Sequence, residues 1–176
     1  MQGNSGKERN KIVAIRPSSV KEGAMLRRKE VGEKGWKTGH KNLDEIISYK
    51  KGYSTTIYSY AHQGKTQFTL EQCVNLAIMY KTKVAVYLTE AGDYEEIVLE
   101  IAQTYMRRSL ADMTLTDLEL EFAIDTFVNE YFYIIPASSK FFSIEELAYA
   151  IQDTNKEYGI QLEVVVIDHF GNLDKS

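Results

Sequence analysis

Apolar residues follow two different periods along this chain, and the two periods alternate from about residue 53 onward. Continuous or β-branched apolar runs, which are typical of strands, occupy 53–59, 83–89, 131–135 and 163–167. Apolar residues at helical spacing occupy 65–79, 94–109, 118–130 and 143–158. The runs at 83–89 and 163–167 lack polar alternation, as do strands buried on both faces. The alternation predicts an α/β fold in which helices flank a mostly parallel sheet.

Each predicted helix has an apolar face that we expect to lie in the core. The positions expected there are Phe68, Val74, Leu76, Ala77 and Ile78 in the first helix, Ile97, Val98, Ile101, Ala102 and Tyr105 in the second, and Leu118, Phe122, Ile124 and Val128 in the third. Cys73, on the first helix, is expected to be a small core residue. In the fourth helix, Ser143 followed by Glu146 is the capping-box pattern that starts a helix. Gly159 predicts where that helix ends.

Residues 1–34 differ from this pattern and predict an N-terminal arm or linker. They are rich in Lys, Arg, Glu and Gly, and their one apolar run, 11–15, predicts either an added strand or a docking contact. The charged remainder has two interpretations. It is either a solvated, partly helical segment or a basic arm that touches nucleic acid, although interspersed Glu residues weaken the second interpretation.

Composition narrows the class of protein. The net charge of −4 argues against a chain that coats nucleic acid by charge alone. A single cysteine excludes an internal disulfide framework and fits a reducing compartment. No apolar run reaches the roughly 20 residues that span a bilayer, and the polar N-terminus lacks a signal-peptide core. These features predict a cytoplasmic protein without a membrane partner, and the three histidines and one cysteine show no zinc-ligand spacing.

The segment "SYAHQGKTQF", residues 59–68, has the composition of a phosphate-binding loop between a predicted strand and a predicted helix. Helix N-termini bind anions because their first backbone N–H groups are unpaired and the helix dipole is positive there. Gly64 lets the backbone approach phosphates, Lys65 supplies a charge for the terminal phosphates, and the Thr66 hydroxyl can bind Mg²⁺. Taken alone, the same letters also fit a polar loop with an exposed lysine.

Two acidic residues follow predicted buried strands. Asp168 ends "VVVID" and Glu90 ends "KVAVYLTE", and open parallel sheets bind ligands at the carboxyl ends of their strands. An aspartate there can hold Mg²⁺ through water, and a glutamate can activate the water that attacks a terminal phosphate. Individually they also fit a loop-capping aspartate and a solvated glutamate. Together with Lys65 and Thr66, they predict a nucleotide site at one edge of the sheet.

The order and spacing of these segments resemble the ATPase core of replicative hexameric helicases of the DnaB type. This RecA-like family of P-loop ATPases includes phage primase-helicases. "GWKTGHKNLDEII" (35–47) resembles the family's lead-in segment, and "SYAHQGKTQF" its Walker A loop. "VYLTEAGDYEE" (86–96) resembles the strand that ends in the catalytic glutamate. The stretch from "FYIIPASS" to "VVVIDHFGNL" (132–173) resembles the strand, loop, helix and Walker B strand. The resemblance covers 35–175 and implies that 35–176 is a partial RecA-like core, its N-terminal half, ending just after Walker B.

The resemblance also implies roles for individual residues. Glu90 would be catalytic together with Lys65, Thr66 and Asp168 would bind Mg²⁺ (Asp168 through water), and His169 or Asn172 would take the place of the family's γ-phosphate sensor. The cofactors would be ATP and Mg²⁺. The nucleotide-binding residues would be Ser59, Tyr60, Ala61, His62, Gln63, Gly64, Lys65, Thr66 and Gln67.

Two features depart from the family pattern. Ser59 replaces the first glycine of the loop, where a positive φ would cost a serine on the order of 1 kcal/mol. In addition, the strand that inserts between the P-loop and Walker B strands in relatives, the DNA-binding loops and the arginine finger all come later than Ser176. We therefore expect unpaired backbone groups at a gap in the sheet. The isolated chain should be weakly active, or another chain should complete it.

The leading functional hypothesis is an ATP-driven replicative DNA helicase subunit that forms a ring, in relatives a hexamer, and translocates on single-stranded DNA. A primase is a further candidate partner. The first alternative is another RecA-like ATPase, of the recombinase or clock-protein kind, which the lead-in segment and the P-loop fit nearly as well. The second alternative is a nucleotide-binding module without catalysis.

Overall fold

The structure is a computed structural model that describes residues 14–30, 35–60, 63–88, 94–136 and 143–168. Its internal contacts divide the chain into two units, Met1–Lys34 and Gly35–Ser176. In the first unit, a 3-10 turn at Pro17–Val20 leads into helix α1, Lys21–Glu30. Met25 and Leu26 of α1 are exposed. Of the apolar run at 11–15, residues 11–13 lie outside the described residues, and Ala14 and Ile15 are in no strand.

The second unit is built on a three-stranded parallel sheet. Strand β1, Lys83–Leu88, lies between β2, Phe132–Ile134, and β3, Leu162–Asp168. Val84 pairs with Phe132 on one side and with Val164 on the other. Since all three strands are parallel, their carboxyl ends lie at one edge of the sheet, where the predicted ligand site would be.

Helices connect the strands and precede them. The described helices of this unit are α2, Lys41–Asp44; α3, Lys65–Tyr80; α4, Tyr94–Met106; α5, Asp117–Ala123; a π-helical turn, Ile124–Val128; α6, Asn129–Tyr131; and α7, Ile144–Tyr158. The capping box predicted for α7 is present, because Ser143 accepts from the Glu146 N–H and Glu146 accepts from the Ser143 N–H. Helix α7 ends at Gly159, as predicted. No helix in the described ranges is long and apolar enough to cross a membrane.

Two apolar cores cover the two faces of the sheet. On one face, Val84 and Val86 of β1 pack in a cluster with residues of α3, α4 and the π-helical turn. On the other face, Ala85 and Tyr87 pack with Leu147 of α7. Successive residues of β1 thus enter opposite cores, which explains why its sequence is apolar throughout. The result is the α/β fold predicted from the sequence, with helices on both faces of a parallel sheet.

The predicted strand at 53–59 is wrong in the structure. The described residues at 53–60 form neither helix nor strand, and Tyr53, Tyr58 and Tyr60 are exposed. A β-branched sequence becomes a strand only when it packs and pairs with a neighbour. Within the described ranges, β3 pairs with β1 alone, so the segment at 53–60 has no described strand beside it.

The core predictions hold for α4 and fail for part of the others. Leu118 and Phe122 are 75% and 66% exposed. The buried or packed residues in this region are instead Leu120, Ala123, Ile124, Phe127 and Val128. These positions repeat at i, i+3, i+4, i+7 and i+8, which is the continuous stripe of a helix. The prediction combined positions from two different faces. Phe68 and Ile78 of α3 are also partly exposed rather than buried.

Candidate phosphate-binding site

The N-terminus of α3 has the backbone geometry that an anion requires. Gly64 caps the helix with φ 72° and ψ 23°, a left-handed conformation that a residue with a Cβ adopts only at a cost of about 1 kcal/mol. The Gly64 carbonyl accepts the first helical hydrogen bond, from Phe68 N at 2.9 Å. Below that bond, the first N–H groups of the helix have no partner within the helix and point toward its end. A phosphate placed there would meet several donors at once.

Asp168 connects β3 to this helix end. Its Oδ1 lies 2.8 Å from Lys65 Nζ, and its Oδ2 accepts a hydrogen bond of 2.6 Å from Thr66 Oγ1. Residues 102 positions apart are thus joined through both oxygens of one carboxylate. The prediction that Lys65, Thr66 and Asp168 lie at one edge of the sheet agrees with these distances.

The three side chains form a half-buried, charged cluster. The side chains of Lys65 and Asp168 are 30% and 20% exposed, so water screens their attraction incompletely. A ligand has access to the cluster, because neither charge is sealed in the core. The positive charge of Lys65 and the hydroxyl of Thr66 are both available to phosphate oxygens once they exchange their bonds to Asp168.

The donor set fits a magnesium-nucleotide complex. Mg²⁺ prefers hard oxygen ligands and is usually held by one or two protein oxygens together with substrate phosphates and waters. Thr66 Oγ1 and the Asp168 carboxylate are such oxygens and already touch. The described residues contain no cluster of three or more His, Cys, Asp or Glu side chains that could hold a metal unaided. A metal at this site would therefore depend on the phosphates of a nucleotide.

The other described residues of the loop lie near the cluster along the chain, and their described contacts are with other groups. Ser59 is half-buried and its hydroxyl donates to the Tyr60 carbonyl at 3.1 Å. The Tyr60 side chain is 83% exposed. Gln63 and Gln67 are also exposed. Among the described residues, the non-glycine residues with positive φ are Lys81 and Arg107, so Ser59 does not adopt the strained backbone that its replacement of glycine suggested.

Several predicted site residues fall outside the described part of the chain. These are Ala61, His62, Glu90, His169 and Asn172. Their roles in nucleotide binding, catalysis and γ-phosphate sensing stay predictions.

The sequence reading overlooked one set of residues next to the site. Gln72 is almost completely buried, and Asn75 donates to the carbonyl of Thr38 at 3.0 Å. Both are polar residues on the helix that begins at Lys65. Their helical spacing from Phe68, at i+4 and i+7, is the signal that a second face of α3 is covered.

Comparisons with known proteins bear on the fold. No protein-family model matches the chain, and no curated protein matches it. A solved structure of the ATPase domain of a phage DnaB-like helicase matches with a TM-score of 0.62 and 22% sequence identity, over 90% of this chain and 60% of that chain. The chain thus spans 60% of the length of that neighbour. At this identity the likeness concerns the fold. At that level it confirms the predicted RecA-like α/β fold, incomplete at its C-terminal end, and the resemblance to half of a DnaB-type ATPase core.

Proposed function

We propose that this chain is part of an ATP-hydrolysing motor of the DnaB-helicase kind, and that its nucleotide site lies at Lys65, Thr66 and Asp168. The observation that carries the proposal is the convergence of an ammonium and a hydroxyl from a helix N-terminus on one strand-end carboxylate. The fold likeness to an ATPase domain supports the same class of activity.

Each residue of the site has a distinct task in this proposal. The α3 N-terminus and Gly64 bind the phosphates through backbone N–H groups. Lys65 neutralises charge on the terminal phosphates, which is the main contribution a protein makes to phosphoryl transfer. Thr66 and Asp168 would hold Mg²⁺, which neutralises charge on the phosphate oxygens when it is bound. Glu90 would orient and activate the attacking water.

The finer part of the proposal is coupling to single-stranded DNA in a ring of subunits. Its support is the order of the lead-in segment, Walker A loop, glutamate strand and Walker B strand, which resembles replicative helicases over 35–175. In this arrangement a neighbouring subunit would complete each site. The cytoplasmic location and a primase partner belong to the same proposal.

The test is ATP hydrolysis by the complete protein with and without single-stranded DNA. Lys65→Ala should abolish DNA-stimulated hydrolysis, because the terminal phosphates lose their cation. Lys156→Ala removes an exposed lysine of α7 and is the matched control. Hydrolysis that ignores DNA would contradict the helicase assignment, and full hydrolysis by Lys65→Ala would contradict the site.

A second variant separates binding from turnover. Glu90→Gln should bind the nucleotide as the wild type does and should lose hydrolysis by about a hundredfold or more, since general-base catalysis contributes roughly that factor. If the wild type binds ATP tightly but turns none over, the protein is a nucleotide-binding module. Unchanged hydrolysis in Glu90→Gln would remove this residue from the mechanism.

A further inference from the structure

Helix α3 is covered on two opposite faces. One face enters the main core through Leu70, Cys73, Val74 and Ala77. The opposite face has Phe68, Glu71, Gln72 and Asn75, which repeat at i, i+3, i+4 and i+7 and therefore form a single stripe. A stripe with three polar residues would normally face water, yet Gln72 is only 3% exposed. The covering element is the lead-in segment, residues 36–49.

The lead-in segment contacts this stripe along its length. Asn75 Nδ2 donates to the Thr38 carbonyl at 3.0 Å, and Tyr49 donates its hydroxyl to Gln72 Oε1 at 3.4 Å. Nearer the phosphate-binding end, His40 stacks on Phe68 with ring centroids 6.3 Å apart. His40 Nε2 also lies 3.6 Å from Glu71 Oε1. At the far end of the helix, the Lys37 N–H donates to the Tyr80 hydroxyl at 2.8 Å, and Trp36 stacks on the Tyr80 ring.

The segment is also tied to itself, so that it acts as a closed loop. The Thr38 N–H and hydroxyl both donate to Asp44 Oδ1, at 2.5 and 2.8 Å. Its two ends meet in an antiparallel bridge between Trp36 and Tyr49. The Thr38 side chain is fully buried. These bonds require a threonine at 38 and an aspartate at 44, which accounts for the Thr-Gly and Leu-Asp pairs of the sequence.

Gly39 fits the same contact for two reasons. Its φ of +87° lies in the left-handed region, which favours glycine. A Cβ at this position would lie 2.8 Å from the side chain of Asn75, closer than the two groups can approach. The backbone of the segment therefore rests directly on α3.

We propose that residues 36–49 form a positioning clamp that holds α3 at the correct rotation and height, so that Lys65 and Thr66 line up with Asp168. The core face of α3 packs with apolar side chains, whose contacts are non-directional. The hydrogen bonds of the clamp are directional and fix the helix about and along its axis. Small shifts at a phosphate site matter, because a displacement of about 1 Å can cost a hundredfold in rate. Thr38, Gly39 and Asn75 are positioning residues and do not touch the nucleotide.

The experiment compares Asn75→Ala with Leu147→Ala, a core truncation in α7 on the opposite face of the sheet. Affinity is measured with a fluorescent ATP analogue and Mg²⁺, and stability by urea unfolding. Asn75→Ala should weaken binding by about tenfold through misplacement. Leu147→Ala, which should lose at least as much stability, should leave affinity unchanged. Equal affinity in the Asn75→Ala variant and the wild type would overturn the clamp, as would an equal loss in both variants.

Hydrogen exchange provides a readout that needs no nucleotide. This matters because the affinity measurement rests on the proposed function. In Asn75→Ala, amides of the first turns of α3 should exchange about tenfold faster, while amides of β1 stay unchanged. Should the wild type bind no analogue at all, the proposed function fails and the exchange measurement still decides the clamp. Gly39→Ala perturbs the contact from the other side and should reproduce both effects if Asn75→Ala does not fold.

Discussion

Replacing Asp168 by asparagine tests the contact at the centre of the site in the ligand-free protein. The substitution keeps the shape of the side chain but removes its charge. An amide oxygen can still accept a hydrogen bond from Thr66, yet the ion pair with Lys65 is lost. The partners are 2.8 Å apart for the pair and 2.6 Å apart for the hydrogen bond.

The magnitude follows from the exposure of the partners. A fully exposed ion pair contributes about 0–1 kcal/mol, and a hydrogen bond to a charged group about 1.5–3 kcal/mol. With Lys65 30% exposed and Asp168 20% exposed, the freed ammonium can recover part of its hydration. We therefore expect Asp168→Asn to lower the free energy of unfolding by about 1–2 kcal/mol.

Urea unfolding without nucleotide measures this change. With a slope of about 2 kcal/mol/M, the midpoint should fall by roughly 0.5–1 M. Asp153→Asn is the matched control, since Asp153 is an exposed carboxylate on α7, and its midpoint should stay within about 0.2 M of the wild type. An Asp168→Asn midpoint equal to that of the wild type would refute the ion pair as a stabilising contact.

Three further predictions concern the loop, the core and the lead-in segment. Ser59→Gly should leave nucleotide affinity unchanged and lower stability by at most about 1 kcal/mol, because Ser59 needs no positive φ and glycine adds freedom to the unfolded chain; tighter binding would contradict this. Burial raises the pKa of the Cys73 thiol to about 12, so a thiol reagent at pH 8 should label Cys73 only after urea unfolds the protein, and rapid labelling of the native protein would contradict its burial. Desolvation raises the pKa of Asp44, but bonds from Thr38 and the charge of Lys37 outweigh it and the net pKa is lowered; the stability this provides is present above an ordinary aspartate pKa of about 3.9 and is lost as pH falls through the lowered value. Urea midpoints between pH 5 and pH 3 should therefore fall less steeply in Asp44→Asn than in the wild type, and equal slopes would contradict the shift.

The sequence was sufficient to predict the elements whose signal is local. The apolar runs that became β1 and β3 are buried because they lie between two helical layers, and continuous apolarity encodes that directly. The capping box at Ser143 and the stop at Gly159 are also local, since both depend on a few neighbouring residues. Lys65, Thr66 and Asp168 were predictable as a group because parallel strands bring their carboxyl ends to one edge.

The features that failed depend on partners distant in the sequence. Residues 53–60 have strand composition, but pairing decides whether a strand forms, and composition does not supply a neighbour. Leu118 and Phe122 satisfy a helical period, but a second period through Phe127 and Val128 contains more apolar residues and enters the core.

The second face of α3 was missed for a related reason. Gln72 and Asn75 are polar, and polarity alone predicts exposure. Their burial depends on the hydrogen bonds that Tyr49 and Thr38 provide, which no count of apolar positions contains.

Calorimetric titration with a non-hydrolysable ATP analogue and Mg²⁺ tests most directly whether Lys65, Thr66 and Asp168 form a nucleotide site. The wild type should bind one analogue per chain, and Lys65→Ala should weaken that binding by about tenfold or more, since a charge-assisted contact to phosphate is worth roughly 1.5–3 kcal/mol. Lys156→Ala should bind as the wild type does. Equal affinity in Lys65→Ala and the wild type would contradict the account, because the nucleotide would then bind elsewhere.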